Sequence, residues 1–111
     1  MVMNIGETRL NLKMAALADP TRRAIINRLQ QGEATVMELA APFAMSQPAV
    51  SKHLKLLEEA GLIIRSRDAQ KRPCRLAPDG LSEIAAFLNS HRAMWVGALD
   101  RLDSYLQTVK E

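Results

Sequence analysis

The residues best suited to do chemistry open the stretch SQPAVSKHLKLLEEAGL, residues 46–62: Ser46, Gln47, Pro48, Ser51, Lys52, His53 and Lys55. Most of these side chains donate hydrogen bonds or carry positive charge. The chemistry on offer is recognition of anions or polar edges, not bond making. A second basic group follows: Arg65, Arg67, Lys71, Arg72 and Arg75, with Asp68 the only acid among them. From Ser46 to Ala77 seven Lys/Arg stand against three Asp/Glu, a net +4; from Pro78 to Glu111 three stand against five, a net −2. The whole chain carries only +3, so the positive charge is gathered in its middle third. That distribution suits an acidic partner such as nucleic acid.

Other chemistries find little material. There are two histidines, His53 and His91, and one cysteine, Cys74. A single cysteine excludes an internal disulfide and a cysteine-rich metal knuckle. His91 has Asp79, Glu83, Asp100 and Asp103 scattered around it, whereas zinc needs three or four ligands in close geometry. Neither a metal nor a cofactor is expected. The chain has no glycine-rich phosphate loop and no Ser/His/Asp pattern, and an enzyme is not expected. Arg72 and Arg75 flank Cys74 and could activate its thiol as a sensor. Strand alternation instead places Cys74 on an inward face with Leu76, as a buried structural thiol; both readings stand at this point. No apolar run approaches the ~20 residues of a membrane span, and the N-terminus lacks a signal pattern. The expectation is a cytoplasmic protein with no membrane partner.

The elements that position the basic residues can be read from periodicity and caps. Leu10, Met14 and Leu17 recur at helical spacing over 7–18. Asp19-Pro20 then ends one helix and starts another, because Asp caps well and Pro is favoured in the first turn. This second helix, 20–30, buries Ala24, Ile25 and Leu29. Thr35 and Glu38 form a capping box for a short third helix, stopped early by Pro42. Ser46 caps the fourth, Val50, Leu54 and Leu57 form its buried face, and Gly61 ends it. Met14, Met37 and Met45 read as core or interface filler. Residues 35–60 thus form a helix-turn-helix, and 62–77 form two short strands with a basic tip. Residues 78–109 read as one long helix with Gly97 as its only interior blemish. Its apolar stripe, Leu88, Trp95, Leu99, Leu102 and Leu106, is too long for so small a domain to cover. It meets the same stripe of a second chain, helped by Leu10, Met14 and Leu17.

The expected fold is mainly α with a small β-hairpin: a winged helix-turn-helix in a single domain, 1–111, made of four helices, the hairpin and one last helix. The fourth helix enters the major groove of double-stranded DNA with its N-terminal residues nearest the base edges. Gln47, Ser51 and Lys52 are base-edge or phosphate candidates, with Ser46 and Pro48 beside them. Lys55 and His53 are phosphate candidates. Arg65, Arg67, Lys71, Arg72 and Arg75 hold the backbone or minor groove, and Thr21, Arg22 and Arg23 add a phosphate contact. The competing reading is a winged-helix module that binds another protein, its basic wing merely solvated. Salt separates the two, because phosphate-driven binding weakens steeply with ionic strength.

ALADPTRRAIINRL, then ELA, then SQPAVSKHLKLLEEAGLI and a basic hairpin ending CRL resemble the ArsR/SmtB family of bacterial winged-helix repressors, over nearly the whole chain from Leu10. The resemblance implies a homodimer joined by the first and last helices, an inverted-repeat operator, and release on a signal. The family's sensing residues do not carry over. Arsenic-type members have Cys-x-Cys where Val36–Leu39 stand here, and zinc-type members have Asp, His, His and Glu on the last helix. AMWVGALDRLDSYL resembles members without metal or thiol ligands. For these the resemblance leaves an unidentified small-molecule inducer, with Trp95 either lining its pocket or packing at the dimer interface.

Overall fold

The computed structural model describes residues 5–67 and 72–109. Its elements are α1 (Ile5–Leu17), α2 (Pro20–Leu29), α3 (Val36–Ala40), α4 (Gln47–Glu59), β1 (Ile63–Arg65), β2 (Cys74–Leu76), α5 (Ser82–Ser90) and α6 (Arg92–Val109).

Local side-chain chemistry sets the starts of α2, α3 and α4. The Asp19 carboxylate accepts from the Arg22 N–H at 3.0 Å, with Pro20 in the first turn of α2. Thr35 and Glu38 complete their reciprocal box at the start of α3, 3.2 Å each way. Ser46 Oγ accepts from the Ala49 N–H at the start of α4. α4 stops because Gly61 adopts φ +78°, which closes the helix with Gly61 N–H to Glu58 C=O at 2.9 Å and Leu62 N–H to Leu57 C=O at 3.0 Å. A side chain at that φ is strained, and glycine is not.

The core lies where α2, α3 and α4 meet the hairpin. Ile25, Val50, Leu54, Leu57 and Cys74 are wholly inaccessible, and Leu39, Leu62 and Ile63 nearly so. In α2 the third core residue is Ile26, while Ala24 is only half-buried. β1 and β2 pair antiparallel with Ile63 opposite Leu76 and Arg65 opposite Cys74. Ala34, just before α3, adds a bridge by exchanging two backbone hydrogen bonds with Cys74, of 2.7 and 3.0 Å. The helix-turn-helix is thereby tied to the base of the wing.

Residues 78–109 depart from the single helix expected of them. The chain turns through Pro78–Leu81, where Gly80 lies so close to the end of α4 that an added Cβ would sit 3.1 Å from the Gly61 carbonyl oxygen. α5 then starts at Ser82, and the helix breaks at His91, not at Gly97. Ser90 Oγ donates to the Phe87 carbonyl at 2.7 Å, and His91 Nδ1 lies 2.9 Å from the same oxygen. Side chains that bind backbone acceptors locally compete with the helical ladder, and here two do so at adjacent residues. Gly97 costs propensity but offers no competing bond, and α6 runs through it.

α1 and α5 are joined by an ion pair absent from the sequence expectations. Lys13 is only 5% exposed, and its Nζ donates to Glu83 Oε2 at 2.6 Å; Arg9 approaches the other carboxylate oxygen at 4.0 Å. The bonds from Lys13 to Glu83 hold that carboxyl below its usual range. No described residue of α5 or α6 is buried. Leu88, Trp95, Leu99, Leu102 and Leu106 all lie half-exposed or more openly along them. Met14 is likewise exposed and Leu10 partly so. Leu17 differs from the rest of the expected interface set, because it packs against the core of its own chain.

Candidate nucleic-acid interface

α4 presents two unlike faces. Val50, Leu54 and Leu57 are buried, while Ser46, Gln47, Pro48, Lys52 and Lys55 are exposed and Ser51 is half-buried. The N-cap, the proline and the first turn bring short polar groups to the surface at the helix's positive end. Among the described residues no carboxylate comes within ion-pair distance of Lys52 or Lys55. Both ammonium groups remain available to an external anion.

His53 and Arg22 are half-buried and Arg23 is exposed, and each already has a partner within its own chain. Arg22 Nε donates to the Ala16 carbonyl at 2.6 Å and its Nη2 to the Ala15 carbonyl at 3.3 Å, closing the C-terminal end of α1. Its Nη1 lies 3.3 Å from His53 Nδ1, and Asp19 Oδ2 is 3.9 Å from the same ring nitrogen. Arg23 Nη1 donates to the Leu17 carbonyl at 2.7 Å. The physical reason is that the sharp α1–α2 corner leaves carbonyls of α1 without helical partners, and the two arginines that follow it reach back to them. The backbone N–H of Arg22, followed by the nearby Arg22 charge, holds the Asp19 carboxyl below its usual range. Thr21 sits half-buried in the same corner.

The wing carries its basic residues on different faces. Arg75 is exposed and lies opposite Ile64 in the sheet, while Cys74 points inward. Arg67 is exposed and pairs with Glu58 at 3.4 Å, bracing the wing against the last turn of α4. Arg72 is exposed at φ +42°. Arg65 is half-buried, and Lys71 lies outside the described residues. Burial pushes the Cys74 thiol pKa up, and the nearby Arg65 offsets only part of that effect. Arg65, not Arg72 or Arg75, is the arginine that acts on this buried thiol. No group of three or more His, Cys, Asp or Glu among the described residues is gathered as a metal ion needs.

Between α3, the start of α4 and the wing lies an open cleft of about 590 Å3, lined by Thr35, Val36, Met37, Glu38, Gln47, Ser51, Arg65 and Arg72. Met37 is 68% exposed there, so of the two readings, core or interface filler, it does not fill the core. Only the register of α3, which turns Leu39 and Ala40 inward, reveals this.

Residues 19–65 match the family model described as bacterial regulatory protein, arsR family. This span runs from the Asp19 cap to the end of β1. The chain is 43% identical over 84 residues to the HTH-type transcriptional regulator Rv2034 of Mycobacterium tuberculosis, covering 76% of either protein. The chain belongs to the ArsR family. Another relative is the transcriptional repressor SdpR of Bacillus subtilis, 38% identical over 61 residues, or 55% of this chain and 68% of that protein. A crystal structure of the ArsR family transcriptional regulator RHA00566 superposes with a TM-score of 0.75 at 38% identity, covering 86% of this chain and 96% of that one. This ArsR-family member is therefore a DNA-binding transcriptional regulator with a winged helix-turn-helix, and its relatives are regulators, not enzymes. No described helix is long and apolar enough to cross a membrane.

Proposed function

We propose that this regulator is a homodimeric, cytoplasmic repressor that binds an inverted-repeat operator. The first turns of α4 lie in the major groove and the wing lies beside them. One observation carries the DNA half of this reading: α4 exposes Gln47, Lys52 and Lys55 along one side while Val50, Leu54 and Leu57 on its other face are buried. Gln47, Ser51 and Lys52 read base edges or hold nearby phosphates. Lys55, Arg72, Arg75 and Lys71 neutralise the backbone, with Arg65 at the cleft wall and Arg67 at the wing's base. Ser46 and Pro48 let the groove approach closely, and Thr21 stands at the edge of the footprint. The dimer half rests on the uncovered stripe of α5 and α6, with Met14 and Leu10 alongside. A small-molecule signal acting through Trp95 is compatible with that arrangement.

The test is a fluorescence-anisotropy titration against the gene's own upstream DNA and a scrambled duplex, at two salt concentrations. Selective binding that weakens steeply with salt is the expected result. Equal weak binding to both duplexes, or binding indifferent to salt, counts against an operator in that region and against phosphate-driven recognition respectively.

A further inference from the structure

The cleft between α3, α4 and the wing holds one openly exposed apolar side chain that the basic footprint does not use. Thr35, Glu38, Gln47, Ser51, Arg65 and Arg72 give it polar walls. Met37 stands among them 68% exposed, on a helix whose Leu39 and Ala40 are buried. It contributes nothing to the core, and it shares the cleft with Gln47 and Ser51, the side chains at the start of α4 that face base edges under the operator reading. A flexible thioether is apolar and carries no strong donor or acceptor. The major groove offers such a group one apolar mark of sequence, the 5-methyl of thymine.

We infer that Met37 is a specificity-determining residue, packing its thioether on a thymine methyl beside the bases read by Gln47. The inference rests on the operator reading above and adds to it a residue from the helix preceding the recognition helix. Met37 then selects thymine at one position of each half-site. The lysines and arginines supply affinity common to all sequences.

The experiment begins by selecting duplexes from a randomised library with the full-length protein. In the enriched duplex each thymine is then replaced singly by deoxyuridine, which removes the methyl and leaves the pairing edge intact. Burying one methyl is worth roughly a fourfold change in Kd. One position per half-site is expected to lose about that much with the native protein. The same replacement leaves the binding of Met37→Ala unchanged, while Met37→Leu, still apolar, retains the loss. Because Met37 is exposed, both variants are expected to melt with the native protein, and a thermal scan checks this. If every deoxyuridine effect persists in Met37→Ala, or if Met37→Ala weakens all duplexes equally, Met37 touches sugar or solvent and the inference is overturned. A library with no enriched sequence overturns the operator reading, and the inference with it. An enriched sequence without a Met37-dependent methyl effect overturns the inference alone.

Discussion

The winged half of the molecule and its terminal helices solve opposite problems. α2, α3, α4 and the hairpin enclose a core in which Ile25, Val50, Leu54 and Leu57 lose all contact with solvent. α5 and α6 bury nothing among their described residues, and Leu99 and Tyr105 are each 65% exposed. The consequence is visible in the dimensions. The Cα radius of gyration is 18.4 Å, and the chain extends 62 Å along its long axis. A compact domain of this length is expected near 13 Å, roughly. One half has a closed core of its own, and the other leaves its apolar stripe uncovered within the single chain. The lesson is that apolar content alone does not locate a core: α4 and α6 both carry leucines at helical spacing, and only α4 meets a partner within its own chain.

The sharpest way to break this division is to remove one leucine from each half. Leu54→Ala empties a wholly enclosed site and is expected to cost about 2–5 kcal/mol at any protein concentration. Leu99→Asp removes nothing from a core. It is expected to leave the winged half folded, to convert the dimer to monomer in sedimentation, and to abolish the concentration dependence of melting. A Leu99→Asp protein that remains dimeric would show that α6 serves some other purpose.

Lys52→Glu tests the winged half without touching its interior. The side chain is exposed and forms no ion pair with any described residue, and its reversal is expected to weaken operator binding by roughly a hundredfold and to lower the salt slope by about one. The melting temperature should not move. If the variant binds normally while folded, the exposed face of α4 is not the recognition surface.

What the sequence disclosed follows the range of the interactions involved. The caps at Asp19, Thr35 and Ser46 and the stop at Gly61 were all legible, because each depends on residues within one turn. The inward position of Cys74 was legible too, since strand alternation is a local rule. Lys13 was not, because its partner Glu83 is 70 residues away, and nothing near Lys13 announces a buried ammonium. The commitment of Arg22 and His53 depends on a corner between three helices. The break at His91 was hidden because Ser90 and His91 act together on one carbonyl, whereas propensity scores residues singly. The core-or-interface reading of Met37 left its side open, because the four apolar residues of the five-residue α3 cannot all face inward and only packing decides which is excluded.

The joint between the halves is expected to respond to acid. The Glu83 carboxyl titrates lower in the folded chain than in the unfolded one. Its contribution is therefore full above its ordinary value near 4.5 and is lost as pH falls from there through the folded value. The Asp19 carboxyl acts in the same sense at the α1–α2 corner. Urea melts between pH 7 and pH 3 should show stability falling on the acid side, with a shallower fall in Glu83→Ala. Glu83→Ala should also destabilise more than Arg9→Ala at neutral pH, because it leaves the Lys13 ammonium buried without its partner. An unchanged acid limb in Glu83→Ala would remove this pair from the joint.

The smallest expected effect isolates backbone geometry from packing. Gly61 holds φ +78°, and the nearest heavy atom to an added Cβ would be Lys13 Cε at 3.8 Å, an ordinary contact. Gly61→Ala therefore meets no steric obstacle, and its cost is the left-handed backbone alone, about 1 kcal/mol. Gly80→Ala differs, because its Cβ would press on two backbone carbonyls at 3.1 Å and on Leu62 Cα at 3.2 Å. None of these three atoms can swing aside as a side-chain tip would, so this substitution should cost more, although Gly80 does not adopt a positive φ. Chemical denaturation of the two variants side by side decides the matter. Equal losses would mean that the linker yields, and that α5 is not held closely against the end of the recognition helix.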